Sequence, residues 1–311
     1  MQRQVASALV VDDFHPDLRR IARFTPSRGM TMTSRTLPIA RTVVALRAFG
    51  GPRDVEVVSL GPGVGVRVHR PPGLTGPAPG LLWIHGGVYV IGCAAQDDRL
   101  CRRFASALGA VVASVEYRVA PEHSYPAALD DCEAALKWLL AQPDVDPSRI
   151  AIGGGSAGGG LAAALALRLR DQGSAAQPVI QLLTYPMLDD RPAFRPDPEP
   201  ERRRMMDQGM NRFGWESYLR GADPNRAVPA RATDLTGLPP AWIGVGTHDL
   251  LFAESLEYAD RLKQSGVPCA LEVVQGAFHG FDLLAPKKGV SRQFFESQCA
   301  ALTAALGRKS R

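Results

Sequence analysis

The sequence predicts an α/β fold in which helices cover both faces of a mostly parallel sheet. Of the 311 residues, 45% are hydrophobic and 22% are charged, which is typical of a globular chain. After about 50 residues, short apolar runs alternate with segments of helical periodicity, as in chains built from βα units. A chain of this length can bury one large core, and we expect a sheet of eight strands flanked by helices.

The first two strands are predicted to form a hairpin. Residues 54–60 and 64–70 alternate polar and apolar positions around Gly61-Pro62-Gly63, which indicates an antiparallel pair. Buried strands are predicted at residues 80–84, 110–115, 150–153, 179–184, 241–246 and 271–274. Helices are predicted at residues 128–140, 162–169, 250–262 and 294–306.

Two segments interrupt the alternation and predict a helical cap. Residues 1–50 form the N-terminal cap segment and residues 188–225 the second, which leaves residues 51–187 and 226–311 for the main domain. In the first segment, apolar residues recur near one helical face: Phe14, Leu18, Ile21 and Phe24. Because open α/β sheets bind ligands at the carboxyl edge of their strands, we expect the cap to cover that edge.

Composition argues against several classes of protein. The net charge is +5, and the run Arg202-Arg203-Arg204 is interpreted as solvated surface charge without a nucleic-acid-binding signature. No apolar run approaches the roughly 20 residues of a membrane helix, and no secretory signal is visible. The five cysteines lack metal-binding spacing and are expected as reduced thiols. We therefore predict a cytoplasmic protein with no metal, no membrane partner and no nucleic-acid partner.

A glycine-rich turn follows the strand predicted at residues 150–153. Residues 154–158 fit G-x-S-x-G around Ser156, the pattern of a nucleophile elbow between a strand and a helix. Gly154 and Gly158 remove side chains that would collide across so sharp a turn. The stretch also fits the dinucleotide-binding pattern G-x-G-x-x-G, although the acidic residue expected after the next strand is missing. A plain glycine-rich helix start is the third interpretation.

Ser156 needs a base beside it to become an effective nucleophile. His279 lies in a glycine-flanked loop after the last predicted strand, at the same sheet edge as Ser156, and a structural role is its alternative. Asp249 follows the strand at residues 241–246, and it is also a candidate N-cap for the next helix. The chain order Ser–Asp–His fits a triad on this kind of sheet. Weaker candidates for the acid are Asp130, Asp131, Asp189 and Asp190.

A loop containing two glycines follows the strand at residues 80–84. Backbone N–H groups in such a loop can stabilise the oxyanion that forms when serine attacks an acyl carbonyl. Ala157 supplies one such N–H, and Gly86, Gly87 and Val88 of the loop are candidates for the others, with Gly86 and Val88 as alternatives. A simple glycine turn is the alternative interpretation of this loop.

With these residues assembled, the chain resembles the hormone-sensitive-lipase family of α/β-hydrolases, in particular its bacterial family IV esterases. The similarity runs from about residue 55 to residue 281. It rests on His85-Gly86-Gly87, Glu116-Tyr117-Arg118-Val119-Ala120-Pro121-Glu122, Ser156-Ala157-Gly158-Gly159, Tyr185-Pro186 and His279-Gly280-Phe281. The resemblance implies an α/β-hydrolase fold with a helical cap. It also implies a cofactor-free carboxylesterase that acts on short- to medium-chain esters through an acyl-enzyme, with Ser156, Asp249 and His279 as its triad.

Three positions depart from the family pattern without removing a reacting group. Gly155, Val88 and Leu250 stand where the family usually has an acidic residue, a glycine and a proline. The alternative function is a non-catalytic small-ligand receptor on the same fold, although such relatives lack part of the triad. A small-molecule ester is the expected partner, and both a monomer and a homodimer stay open.

Apolar residues of the second cap segment are predicted to bind the substrate. They are Met206, Met210, Phe213 and Trp215. Packing between cap and main domain is an equally good interpretation of each one.

Overall fold

One sheet of eight strands forms the centre of the fold in the computed structural model. The structure describes residues 13–27, 32–48 and 54–307. The strands are β1 (Glu56–Gly61), β2 (Val64–His69), β3 (Ala78–Ile84), β4 (Val111–Glu116), β5 (Val145–Gly155), β6 (Ile180–Thr184), β7 (Ala241–Gly246) and β8 (Cys269–Val274). Their order across the sheet is β1-β2-β4-β3-β5-β6-β7-β8. Strand β2 is antiparallel to β1 and β4, and the other pairs are parallel, which confirms the predicted fold class and hairpin.

Helices pack on both faces of this sheet. They are α1 (Arg19–Phe24), α2 (Leu37–Ala48), α3 (Asp98–Leu108), α4 (Ala127–Leu140), α5 (Ala157–Asp171), α6 (Gln208–Leu219), α7 (Pro224–Ala227), α8 (Phe252–Gln264), α9 (Phe281–Leu284) and α10 (Gly289–Leu306). Leu82 and Ile84 of β3 share a core with α4, α5 and α8. Leu81 and Trp83 of the same strand share a second core with α3 and α10. This two-sided burial explains why the central strands are continuous apolar runs.

The parallel strands bring four connections to one edge of the sheet. Strands β3, β5, β7 and β8 are parallel to their sheet neighbours, so their carboxyl ends lie on the same side. The residues that follow these ends are the glycine loop after β3, Ser156 after β5, Asp249 after β7 and His279 after β8. Sequence-distant side chains therefore meet at this edge, where open α/β sheets bind ligands.

The N-terminal segment differs in part from its prediction. Phe14 and Leu18 are buried, with 1% and 0% exposure, but Phe24 is 77% exposed. Helix α1 begins at Arg19, so Phe14 and Leu18 precede it, and Phe24 at its last position is exposed. Residues 1–12, 28–31, 49 and 50 of the predicted cap segment lie outside the described residues.

The second predicted cap segment contains helix α6, two 3₁₀ turns and the start of helix α7. Two 3₁₀ turns, Arg191–Phe194 and Pro200–Arg202, precede α6, and α7 follows it. Its boundaries at residues 188 and 225 stay a prediction. Across the described ranges, none of the helices combines the length and the apolar composition needed to cross a bilayer.

Candidate active site

Ser156 occupies a strained turn between β5 and α5. Its φ and ψ are 57° and −121°, a backbone conformation that few non-glycine residues adopt. A Cβ on Gly158 would lie 2.0 Å from the carbonyl oxygen of Ile84, and one on Gly154 would lie 2.5 Å from the backbone of Gly158. The two glycines are therefore required for the close approach of the turn to β3, as the elbow pattern predicts.

His279 connects the side chains of Ser156 and Asp249. Its Nε2 lies 3.0 Å from Ser156 Oγ, and its Nδ1 lies 2.9 Å and 3.1 Å from the two carboxylate oxygens of Asp249. Because an ionised carboxylate only accepts, Nδ1–H donates to Asp249, and Nε2 of the neutral ring is free to accept the hydroxyl proton. All three residues are buried, with 6%, 1% and 9% exposure for the serine, aspartate and histidine.

Asp249 does not cap helix α8. That helix begins at Phe252, and its N-cap residue is Leu251. Asp249 Oδ1 instead accepts the N–H of Leu251 at 2.9 Å, which fixes the carboxylate in a turn before the helix. The N-cap alternative is wrong for this reason, and the carboxylate faces His279.

The four weaker candidates for the acid are held elsewhere by arginines. Arg168 pairs with Asp130 and Arg118 with Asp131, at 2.6 Å and 2.7 Å. Arg191 pairs with Asp189 and Arg231 with Asp190, at 2.8 Å and 2.6 Å. A carboxylate held in such a pair is not available to orient a histidine, which leaves Asp249 as the partner of the ring.

The glycine loop after β3 passes directly beside Ser156. A Cβ on Gly86 would lie 3.2 Å from Cβ of Ser156, and one on Gly87 would lie 2.0 Å from the carbonyl oxygen of Ile91. Gly87 has a φ of 132° and Val88 a φ of 46°, so the loop uses left-handed backbone at consecutive positions. Ala157 is the first residue of α5, and the N–H of a first helical residue has no partner within its helix.

His85 supports this loop from behind. Its Nδ1 donates to the carbonyl of Gly86 at 2.8 Å, and its ring stacks on Tyr117 with centroids 4.1 Å apart. The hydroxyl of Tyr117 donates to the carbonyl of His85 at 3.0 Å. Burial lowers the pKa of His85 to about 4, opposed by its hydrogen bond to Gly86, so the ring is neutral at physiological pH.

Known proteins resemble the chain over most of its length. A family model described as an alpha/beta hydrolase fold matches residues 81–283. Esterase LipI of Mycobacterium tuberculosis is 36% identical over 246 residues, which are 74% of this chain and 75% of that protein. A solved structure titled Bacterial Heroin Esterase superposes with a TM-score of 0.84 at 34% identity, covering 96% of this chain and 99% of that one.

The chain belongs to the hormone-sensitive-lipase family of α/β-hydrolases. The esterases among its relatives support its assignment as a carboxylesterase. The gibberellin receptor GID1 of Oryza sativa subsp. japonica is also similar, at 34% identity over 67% of this chain and 62% of that protein. One family thus includes both enzymes and a receptor.

The predicted substrate-binding residues of this hydrolase divide into two groups. Met206 and Trp215 are buried, with 2% and 0% exposure, and the Trp215 ring packs against Tyr89 at 5.1 Å between centroids. Met210 and Phe213 are half-buried against the core. Trp215 thus packs between α6 and the loop that contains Tyr89, and the burial of both residues leaves Met210 and Phe213 as the more accessible candidates.

Sequence analysis did not identify two groups next to the histidine. Tyr185 packs its ring on His279, with centroids 4.7 Å apart, and its hydroxyl donates to Asp282 at 2.9 Å. Burial raises the pKa of the Asp282 carboxyl, while the hydrogen bond from Tyr185 lowers it. In the sequence, Tyr185 is visible only as part of a family motif, and Asp282 has no signal beyond its position three residues after His279.

The interpretation of the Arg202-Arg203-Arg204 run as solvated charge is wrong for two of its members. Arg203 and Arg204 are each only 7% exposed. Their guanidinium groups bind backbone carbonyls: Arg203 donates to Asp249 at 3.2 Å and Arg204 to Ala22 at 2.7 Å. Among the described residues, no group of three or more His, Cys, Asp or Glu side chains is arranged to hold a metal ion.

Proposed function

We propose that this hydrolase cleaves short- to medium-chain carboxylic esters through an acyl-enzyme on Ser156. Ser156 Oγ attacks the ester carbonyl carbon while Nε2 of His279 accepts the hydroxyl proton. His279 then gives this proton to the departing alkoxide, and the alcohol leaves. Water attacks the acyl-enzyme with His279 again as the base, which releases the carboxylic acid and restores the serine. Asp249 holds the histidine tautomer and stabilises the imidazolium in both steps.

One observation carries the proposal: a single imidazole lies within hydrogen-bond distance of both the hydroxyl and the carboxylate. Nε2 is 3.0 Å from Ser156 Oγ, and Nδ1 is 2.9 Å from Asp249. Proton transfer needs this geometry before it needs any particular pKa. The three residues lie 30 to 123 positions apart in the chain, so local structure alone does not account for their convergence.

We assign the oxyanion donors to the backbone N–H groups of Gly86, Gly87, Val88 and Ala157. The close approach of Gly86 to Ser156 supports this assignment, because a Cβ there would lie 3.2 Å from the serine Cβ. Preorganised N–H donors stabilise the developing negative charge, and loss of one costs about 3 kcal/mol of transition-state stabilisation. The left-handed backbone at Gly87, which glycine adopts freely, and the strained one at Val88 are consistent with a loop shaped for this purpose.

We further propose that residues 188–225 act as a cap that contributes the substrate pocket. Helix α6 packs on the glycine loop through Trp215 and Tyr218, whose rings contact Tyr89. The half-buried Met210 and Phe213 on the same helix are our candidates for contact with the acyl or alcohol group. The homodimer and the cytoplasmic location stay predictions.

The experiment that tests the mechanism is a panel of p-nitrophenyl esters of increasing acyl length, measured on wild type and Ser156→Ala. We expect turnover to be highest for short and medium chains and to disappear in the variant. Ser148→Ala is the matched control, because that serine is exposed at the opposite end of β5. Mass spectrometry after rapid mixing should find the acyl group on the peptide that contains Ser156. Full turnover by Ser156→Ala would exclude the proposed nucleophile.

The similarity to a gibberellin receptor makes a non-catalytic receptor the second candidate. The complete Ser156–His279–Asp249 contact favours the enzyme, since a receptor does not need a histidine held between a hydroxyl and a carboxylate. Stoichiometric binding of an ester without release of its alcohol would favour the receptor.

A further inference from the structure

A buried guanidinium connects the second cap segment to the backbone of Asp249. Arg203 donates from Nη1 to the carbonyl oxygen of Asp249 at 3.2 Å. Its Nε and Nη2 bind the two carboxylate oxygens of Asp197, both at 2.9 Å. The side chains of the pair are 9% and 5% exposed. One planar guanidinium group thus binds a carboxylate on one edge and the backbone of Asp249 on the other. A lysine ammonium group could not make both contacts in this geometry.

A buried ion pair of this kind is poorly explained by a contribution to stability alone. Removing two charges from water costs several kcal/mol for each ion, and apolar residues often serve stability as well or better. The third contact, to the Asp249 carbonyl, gives the pair a fixed orientation relative to the triad. The position of the backbone at residue 249 in turn determines where its carboxylate meets His279.

The neighbouring residues hold the same turn from the N-terminal side. Nε2–H of His248 donates to the backbone carbonyl of Asp13 at 3.1 Å. The carboxylate of Asp13 pairs with Arg202 at 2.7 Å, and the guanidinium of Arg204 lies over the Phe14 ring at 4.8 Å. The arginine run therefore lies between the N-terminal segment and the turn that carries Asp249.

We propose that Arg203 is a positioning residue that sets the orientation of Asp249 toward His279. This inference rests on the triad proposed above. When Arg203 and Asp197 are paired, the Asp249 backbone is fixed and both carboxylate oxygens meet Nδ1 of His279. Without the guanidinium, the turn loses its contact with residues 188–225, and the carboxylate is held less firmly. Loss of the guanidinium should affect the chemical step more than substrate binding. The reason is that its hydrogen bonds go to the Asp249 backbone and to the Asp197 carboxylate.

The test compares Arg203→Gln with wild type on one p-nitrophenyl ester. Misplacement of a catalytic group by about 1 Å can cost about 100-fold in rate, so we expect kcat to fall about 10- to 100-fold. We expect KM to stay within about twofold. The rate at which a phosphonate ester labels Ser156 should fall in parallel, because labelling needs the same base. Arg231→Gln is the matched control: Arg231 binds both oxygens of Asp190 but does not contact the triad.

Two further measurements separate positioning from misfolding. Asp197→Asn keeps Arg203 but weakens its anchor, so we expect a smaller loss of kcat in the same direction. The melting temperature should fall, because the buried guanidinium loses its counter-charge, so kcat is measured well below it. Arg203→Ala should regain part of its kcat when guanidinium ion is added at millimolar concentration, whereas Arg231→Ala should not respond. Unchanged kcat in folded Arg203→Gln, while Ser156→Ala is inactive, would overturn this inference and leave the proposed function intact. Turnover by Ser156→Ala would instead overturn the proposed function.

Discussion

Two buried histidines in this site have different partners and therefore different chemistry. His85 donates to a backbone carbonyl and stacks on Tyr117, and burial lowers its pKa to about 4. It is fixed as a neutral support for the glycine loop. His279 has a carboxylate on one nitrogen and a hydroxyl on the other, so a positive charge on its ring has a compensating partner. The neighbouring groups, not the residue type, decide which histidine is placed to accept a proton from Ser156.

The first prediction concerns the carboxylate of this pair. In Asp249→Asn, the amide can still accept the N–H of Leu251, so we expect the fold to be retained. The variant can no longer stabilise the imidazolium or favour the correct tautomer of His279, and kcat should fall about 10⁴-fold with little change in KM. Steady-state kinetics on p-nitrophenyl butyrate measures both constants. Asp260→Asn, an exposed site on α8, should behave like wild type. Substantial activity in Asp249→Asn would assign the acid to another residue.

The contact of Ser156, His279 and Asp249 could be predicted from the sequence because its signals are local. The glycines around Ser156, those around His279 and the strand before Asp249 are each visible in a short window. Arg203 could not be predicted in this way. Its contact with Asp249 spans 46 positions, and pattern analysis assigns arginine to the surface unless a buried partner is known. The hydrogen bond between Tyr185 and Asp282 could not be predicted for the same reason, since it joins residues 97 positions apart.

At the scale of elements, the central strands were the easiest to predict. Parallel strands buried on both faces are short apolar runs, and β7 matches its predicted range throughout. Helix α3 was not predicted, because its buried stripe is short: Cys101, Phe104 and Ala105, with arginines at positions 99, 102 and 103. Helix α10 begins at Gly289, ahead of its predicted start at 294, since its first turn has a weaker apolar pattern.

The nucleophile turn is an element whose glycines are not equivalent, which gives the second prediction. In Gly158→Ala, the new Cβ would lie 2.0 Å from the carbonyl oxygen of Ile84, so backbone must shift and activity should be lost. In Gly155→Ala, the nearest neighbour is Cε2 of Tyr185 at 3.6 Å, an ordinary contact. This variant should keep its activity and gain up to about 1 kcal/mol of stability, because alanine restricts the unfolded chain. Urea unfolding and ester turnover test both variants. Equal loss of activity in the two would contradict this steric account.

The contact between α6 and the glycine loop gives the third prediction. Trp215 is fully buried against Tyr89, which follows Val88 in the loop beside Ser156. We expect Trp215→Ala to lower the free energy of unfolding by about 3 to 5 kcal/mol and to reduce kcat, because the loop loses its packing partner. Turnover at saturating ester and urea unfolding measure the two effects.

Tyr218→Phe is the matched control for this contact. The Tyr218 ring stacks on Tyr89 with centroids 4.2 Å apart, and its buried hydroxyl has no hydrogen-bond partner among the described residues. Removing that hydroxyl keeps the stacking and relieves a desolvation cost, so stability should be unchanged or slightly higher. If the two variants had the same kcat, α6 would not be supporting the loop.

At the scale of the whole molecule, several carboxyl groups are buried where their charge is disfavoured. Burial raises the pKa of Asp97 to about 7, and the nearby charge of Asp282 adds to this rise. A hydrogen bond from Nε1 of Trp83 lowers the same pKa. Burial also raises the pKa of Glu254, which accepts the N–H groups of Leu188 and Asp189 where residues 188–225 begin. The folded chain therefore keeps protons on carboxyl groups that would already have lost them at acidic pH in an unfolded chain.

The last prediction follows from the sign of this effect at Asp97. Its pKa is about 7 in the folded chain and 3.8 ordinarily, so its contribution to stability is complete below about pH 4 and is lost as the pH rises to about 7. Asp97→Asn keeps an acceptor for Trp83 but carries no charge. Its advantage over wild type in the free energy of unfolding should therefore grow by about 2 to 3 kcal/mol between about pH 5 and about pH 8. Urea unfolding at the two pH values measures this difference. The exposed Asp171→Asn should show the same small effect at both, and a pH-independent difference for Asp97→Asn would mean that this carboxyl is not protonated in the folded state.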